Sequence, residues 1–433
     1  MVAPRILITP MEVAGVGANL QSGFRALGID ADLGWCEDHV FNYDCDIVGG
    51  PVWELVRHLG NATKKPGMMR YLAFILNIPI RWVLLVNVLF KYDRFIFFFG
   101  KTITGTSIDL ILIRALKKKS IVVFLGSDAR PPYLNGKYFT QRPRRSSFWS
   151  RLKWQSRKRI SVVRRAEKYA TATVNALGTS HFHTKPFVDW FYVGLPTNLA
   201  ATPSLFEDWP DGPLRLLHAP SSPQSKGTLE IETAIINLQR KGYKIEYRKL
   251  QNLSNKQVLN QIDWCHLVVD QLFSDTPLAG LACEAAARGK PAIVGSYLAN
   301  DKGLHFRNLS FHMETFCHPD DFTALLLRIA NRDIDLPDLG NGLYQFIRKQ
   351  WNATAVAGRY MDIFEDTLPR AAMVDPVDNK CVMGHGMRGQ YLPRFLQEYI
   401  DAKGIDALGL KYNPEMESEI IRLARSVRVG NPS

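Results

Sequence analysis

Two separate runs of one pattern constrain this chain more than any other feature: a short apolar segment, a loop bearing glycine or proline, then a stretch of helical periodicity. The first run opens with apolar residues at 5–9, passes Pro10, Gly15 and Gly17, and enters a helical pattern at 18–27, with further short apolar segments at 46–48, 94–99 and 121–124. Short apolar strands alternating with helices predict a parallel sheet wound by crossover connections. Between 194 and 212 the periodicity lapses and Pro196, Pro203, Pro210 and Gly212 collect, as in a linker. The pattern then starts afresh, with strands at 214–218, 245–250, 267–269 and 292–294 and helices at 228–240, 255–262 and 280–288.

A chain of 433 residues is too long for one ordinary hydrophobic core. The expectation is an α/β protein of two Rossmann-like domains facing a cleft. An N-terminal, acceptor- and membrane-facing domain takes 1–198, a C-terminal domain 199–350 and a returning helix 351–370. The tail, 371–433, holds helical stretches at 392–400 and 416–425 and glycines around His385, and its role is open.

Hydrophobic residues at 46% and charged residues at 22% exclude a disordered chain. The six cysteines are scattered without a CxxC pair, which suggests neither a zinc site nor a disulfide framework and fits a reducing cytoplasm. The first residues run directly into a strand pattern without the charged and apolar regions of a signal peptide. The apolar stretch 71–90 is interrupted by Pro79 and Arg81. Its charge-free runs of about ten residues fall short of the ~18 that a membrane span needs, so it reads as a buried or interfacial helix.

Chemistry concentrates in the second alternation. The loop His218-Ala219-Pro220-Ser221-Ser222-Pro223-Gln224-Ser225-Lys226-Gly227-Thr228 joins a strand to a helix. Helix N-terminal amides from Gly227 onward, the Ser221 and Ser222 hydroxyls and the Lys226 ammonium suit a diphosphate. The same residues also suit an ordinary loop with a solvated lysine. Downstream, Thr276 follows a strand end, and Gly280 opens an otherwise apolar helix bearing Glu284. A carboxylate there suits ribose hydroxyls, or is a plain helix-surface glutamate.

Three segments in order, His218-Ala219-Pro220-Ser221 with Lys226-Gly227-Thr228, then Val268-Val269-Asp270-Gln271, then Glu284-Ala285-Ala286-Ala287-Arg288-Gly289-Lys290-Pro291, resemble the C-terminal domain of family-4 glycosyltransferases of the two-Rossmann, GT-B type. A weaker similarity runs over 5–367, with Gly15 and Gly17 at the family's acceptor-side glycine loop and Gly126-Ser127-Asp128-Ala129-Arg130 at its glycine-serine-aspartate motif. The resemblance implies a nucleotide-sugar donor, with Lys226 on its diphosphate and Glu284 on its ribose. Three positions depart from the family pattern: His218-Ala219-Pro220 stands where an arginine a few residues before Lys226 is usual, Thr276 where a second glutamate is usual, and Leu125 replaces a histidine.

The implied reaction is a transfer, with retention, to a sugar or lipid-linked acceptor, as in surface polysaccharide biosynthesis. Lys226 and loop amides would stabilise the departing diphosphate, and Asp128 or the donor phosphate itself would take the acceptor proton. Asp128 equally fits a loop cap. A scaffold relative without catalysis is the alternative. The triplets Asp30-Ala31-Asp32, Asp44-Cys45-Asp46 and Asp333-Ile334-Asp335 stand away from the strand ends that would face the diphosphate, so no metal and no cofactor are expected. His181, His183, His305 and His312 lack ligand spacing.

A formal net charge of +13 calls for an anionic partner. Much of it lies in 142–168, where arginines and lysines interleave with Phe148, Trp149, Leu152 and Trp154. With 71–90 this stretch suits an anionic membrane surface on the cytoplasmic, inner face. A solvated basic helix is the other reading, and the sugar-nucleotide loops argue against nucleic acid.

Overall fold

In the computed structural model, which describes residues 4–38, 47–139, 145–204 and 206–426, the two alternations become a seven-stranded and a five-stranded sheet. The N-terminal half runs β1 (Ile6–Thr9), α1 (Val16–Ala26), β2 (Ala31–Leu33), α2 (Pro51–Ala62), α3 (Met69–Lys91), β3 (Arg94–Phe98), α4 (Ile108–Ala115), β4 (Lys119–Val123), α5 (Ser146–Tyr169), β5 (Ala172–Asn175), β6 (Phe187–Asp189) and the short α6 (Trp190–Val193). Strands β2, β1, β3, β4, β5 and β6 lie side by side in that order, all parallel. Helices cover both faces, α1 on one and α2 to α5 on the other. That double burial is why β3 and β4 are apolar without alternation. Of the strand expected at 46–48, Ile47 makes an isolated bridge to Leu33, and residue 46 lies outside the described residues.

The C-terminal half runs β7 (Leu214–His218), α7 (Pro223–Lys226), α8 (Thr228–Arg240), β8 (Ile245–Lys249), α9 (Asn255–Ile262), β9 (Leu267–Gln271), α10 (Gly280–Ala286), β10 (Ala292–Gly295), α11 (Lys302–His305), β11 (Phe316–Cys317), α12 (Phe322–Ala330) and α13 (Leu336–Phe346). Its parallel strands are ordered β8, β7, β9, β10, β11. Counted from its own first strand, each half therefore has the order 2-1-3-4-5. In such a sheet the connections leave in opposite directions between the first and third strands, which opens a crevice at their carboxyl ends. In the C-terminal half that crevice lies beyond His218 and Gln271.

After a π-helical turn at Ile347–Trp351, the chain returns as α14 (Ala353–Glu365). This helix packs on α1, where a Cβ on Gly23 would collide with the Ala353 carbonyl. The tail then joins the N-terminal domain. Strand β12 (Met373–Val374) pairs antiparallel with β6, and α15 (Leu392–Lys403) and α16 (Pro414–Arg425) add to the core beneath α5. Phe395 stacks on Phe139 with centroids 4.4 Å apart and meets Trp149 at 5.3 Å.

Two stretches singled out in the sequence take definite form here. The segment 71–90 lies within one continuous 23-residue helix, Met69–Lys91, despite Pro79, long and apolar enough to cross a membrane by length and composition, a test that buried core helices also pass. Arg81 turns its guanidinium to the Ile103 carbonyl at 2.9 Å. One face (Ala73, Leu84, Leu85, Val88) is buried, and Tyr71, Phe74, Ile75, Val83 and Phe90 face outward. In α5, Phe148, Trp149 and Leu152 are buried beneath the tail, so Trp154 alone of those four is exposed.

If the tail is part of the domain core, Phe395→Ala should cost ~3–5 kcal/mol of stability, the usual loss for a buried phenylalanine. Urea unfolding followed by tryptophan fluorescence checks this, and a loss under about 1 kcal/mol would contradict it.

Candidate functional site

The site is built where β7 and β9 end. Asp270 is fully buried, and Lys226, from the turn before α8, reaches it with Nζ 2.5 Å from Oδ1. A lone carboxylate at that depth would be costly, so the pair fixes the position of the lysine. An ammonium has three protons, and among the described residues Asp270 is the one side-chain partner of Lys226. Lys226 and Ser221 line a cavity of about 270 Å3 together with Leu250, Leu253 and Val258. Gly227 has a left-handed φ of 78° and packs against Leu272 and Phe273, where a side chain would crowd them. Ser222 is exposed, its hydroxyl turned to Ser225 at 3.2 Å, and it does not line the cavity.

The loop opens on a structural histidine. His218 is buried, one ring nitrogen 2.7 Å from the Val269 carbonyl and the other 2.8 Å from the Thr228 hydroxyl. Burial pulls its pKa down to about 4, with the Lys226 charge adding to the effect. The ring is thus neutral near pH 7.

On the opposite wall Glu284 accepts a 2.6 Å hydrogen bond from Asn255, the first residue of α9. Burial raises the Glu284 pKa, and the Asn255 bond works against that shift. Gly280 borders both this cavity and a second one of about 320 Å3 between the domains, lined by Gly126, Ser127, Arg130, Asp275 and Thr276. The Arg130 guanidinium and the Asp275 carboxylate form an ion pair across the cleft. The Thr276 hydroxyl is held by the Leu278 amide at 3.2 Å.

The N-terminal glycine loop behaves differently. Glu12 folds back over it and accepts hydrogen bonds from the amides of Val13 at 2.8 Å and of Gly17 and Ala18 at 3.0 Å. The chain's own carboxylate thereby occupies the helix N-terminus that a phosphate would use. Gly17 is buried beneath Glu12, and a Cβ there would sit 2.9 Å from its carboxylate. Gly15 borders the cleft beside Asn19 and Glu284. Gly17 as a cofactor-binding position is therefore corrected.

Asp128 takes the capping geometry. Its two oxygens accept from the Leu125 amide at 3.0 and 3.3 Å, and burial pushes its pKa up to about 6. Its neighbours Gly126, Ser127 and Arg130 line the interdomain chamber, and Asp128 does not. The aspartate triplets are likewise engaged locally. Asp30 and Asp32 bind Arg5, and Asp335 caps α13, while 44–46 lies outside the described residues. Among the described residues no group of three or more His, Cys, Asp or Glu is placed to hold a metal ion.

Sequence reading missed Asn255 and Asp275. For Asn255 a local signal existed: Ser254 and Gln257 form a capping box that fixes the start of α9. Asp275 acquires its role only through a partner 145 residues away.

No family model and no curated protein matches this chain. It is similar to several solved structures. HepE of Anabaena in complex with UDP and glucose shares 11% identity over 84% of this chain and 99% of that one, TM-score 0.46. The glycosyltransferase SnogD from Streptomyces nogalater shares 13% over 83% and 100%, TM-score 0.41. S. aureus TarM with UDP shares 10% over 66% and 59%, TM-score 0.45. At this distance the likenesses fix neither substrate nor residue roles, and the architecture rests on the two sheets described above.

His218 gives a pH test of the site's framework. Its folded pKa lies below the 6.5 of a free histidine, so its contribution is complete above about pH 6.5 and is lost as pH falls towards about 4. Between pH 7 and 4.5 the wild type should lose more unfolding free energy than His218→Asn, measured by urea denaturation at each pH. Parallel losses in both proteins would contradict a neutral, buried His218.

Proposed function

We propose that the protein is a glycosyltransferase that moves a sugar from a nucleotide-sugar donor to an acceptor hydroxyl. One observation carries this reading. A fixed ammonium, Lys226 on Asp270, and a fixed carboxylate, Glu284 on Asn255, face a single cavity at the carboxyl ends of β7 and β9. That is the crevice where a doubly wound sheet binds nucleotides. Leu250, Leu253 and Val258 offer apolar walls for a base, Glu284 accepts from ribose hydroxyls, and Lys226 with the Gly227 side of α8 meets the diphosphate. The transferred sugar then projects past Gly280 towards the interdomain chamber.

As the sugar–phosphate bond breaks, negative charge grows on the departing nucleoside diphosphate, and a preorganised cation stabilises that charge more in the transition state than before it. Lys226 and Arg130 are the cations of the two connected cavities. With charge supplied by side chains, the transfer is metal-independent in this proposal and retains configuration at the anomeric carbon.

The acceptor is lipid-linked, and the enzyme works peripherally on the cytoplasmic face of an anionic membrane. In support, α3, α4 and α5 cover one face of the sheet. Exposed on these helices are apolar side chains of α3, Ile108 and Ile111 of α4, and Arg151, Trp154 and Lys158 of α5. Arg81 and Arg165 tie the flanking helices to the intervening loop through the carbonyls of Ile103 and Thr106. Apolar and basic groups on one side match the interfacial and headgroup zones of an anionic bilayer.

A panel of UDP-, GDP-, ADP- and TDP-sugars tests the reaction by thermal shift and nucleotide release, with and without EDTA. One nucleotide class should stabilise the protein by a few kcal/mol at saturation, with slow release of its diphosphate unaffected by EDTA and binding weakened at least tenfold in Glu284→Ala. Binding unchanged in that variant would place the ribose elsewhere, release abolished by EDTA would make the reaction metal-dependent, and binding without any release would favour a scaffold role. For the membrane, the protein should co-sediment with phosphatidylserine vesicles at low salt and be released as salt rises. Failure to sediment at low salt would remove the membrane proposal.

A further inference from the structure

The tail does more than complete a core. Between β12 and α15 it crosses the cleft as a strap spanning 384–389, bonded to both domains. On the N-terminal side, the Gly136 amide donates to the His385 carbonyl at 3.0 Å. On the C-terminal side, the Gly386 amide donates to the Phe273 carbonyl at 3.1 Å and the Gly389 amide to the Tyr297 hydroxyl at 2.9 Å, while Arg388 binds Glu230 at 2.6 Å. The glycines are required by space. A Cβ on Gly384 would collide with Arg130 and the Leu134 carbonyl, and Gly386 has a left-handed φ of 73°.

This strap carries one reactive side chain, His385, into the interdomain chamber beside Arg130, Asp275, Ser127 and Thr276. Among the described residues no hydrogen bond holds its ring, unlike His181, which is tied to the Cys381 carbonyl at 2.7 Å, and His218. Charged groups around it are Asp275 and Asp270, which favour the imidazolium, and Arg130 and Lys226, which oppose it. Burial is the largest influence and lowers its pKa. An imidazole that is fixed in backbone position, free at its ring and neutral near pH 7 is equipped to receive a proton.

We propose that His385 is the catalytic base of the transfer, delivered to the cleft by the C-terminal strap. This rests on the glycosyl-transfer reading above. The acceptor hydroxyl oxygen forms its bond to the anomeric carbon of the donor sugar on the same face from which the phosphate oxygen departs, so that configuration is retained, and the electron pair of the broken carbon–oxygen bond leaves with the nucleoside diphosphate. The hydroxyl proton passes to the basic nitrogen of His385 and from there to solvent. Asp128, turned to its own loop, takes no part in this step.

The test uses the full chain and the donor selected from the sugar-nucleotide panel, following nucleoside diphosphate release with water as acceptor. His385→Gln should lower kcat by roughly 10²-fold or more while the donor KM, the donor-induced thermal shift and the unfolding midpoint stay at wild-type values. The acid-side fall of kcat in the wild type should be absent in this variant, and free imidazole should restore part of the activity to His385→Ala. A His385→Gln enzyme that turns over at the wild-type rate, loses donor binding, or keeps the acid limb would overturn the role of His385 and leave glycosyl transfer standing. A wild type that neither binds nor cleaves any donor would instead overturn the reading on which this inference rests.

Discussion

Asp270, a carboxylate without solvent exposure at the end of a core strand, is the constraint on which the site depends. Such a group is tolerable only beside a counter-ion, and Lys226 reaches it only if the loop after β7 folds back over β9. The backbone reinforces that path, with the Leu272 amide donating to the Lys226 carbonyl at 3.0 Å and Gly227 turning through a left-handed conformation to begin α8. Ion pair and turn together aim an ammonium into the crevice that the sheet order has already opened.

The two halves share one winding and differ in what fills the first loop. In the N-terminal half, Glu12 takes up the amides of Val13, Gly17 and Ala18 in the glycine loop. In the C-terminal half, the corresponding loop presents Lys226. One fold, repeated, thus presents an ammonium in one first loop and a self-capped glycine turn in the other. The sides are held in register by the Arg130–Asp275 pair and by a tail that folds with the first domain yet bonds to the second.

Much of this was legible in the sequence because it is local. The second alternation, the His218–Thr228 loop and the position of Glu284 follow from periodicity and turn chemistry within a few tens of residues. What escaped depends on contacts between distant segments. Phe148 and Trp149 read as membrane-facing because α15, which covers them, lies about 250 residues further on. The Gly15–Gly17 loop read as a binding loop because glycine spacing does not reveal that Glu12 turns back onto the amides. Pro79 read as an interruption, although a proline inside an otherwise strong helix removes only one hydrogen bond and is tolerated when packing holds the remaining turns. His385 carried no signal at all, since its place is set by glycines that fit against Arg130 and Ser225.

The central claim is that the crevice at the ends of β7 and β9, and not the N-terminal glycine loop, receives the nucleoside diphosphate. Amide hydrogen exchange with and without saturating UDP, GDP, ADP and TDP tests it most directly. The account predicts that one of the four slows exchange in segments 219–228, 250–258 and 280–284 and leaves 13–18 unchanged. Protection centred on 13–18, or none at the β7 and β9 ends with any of the four, would contradict it.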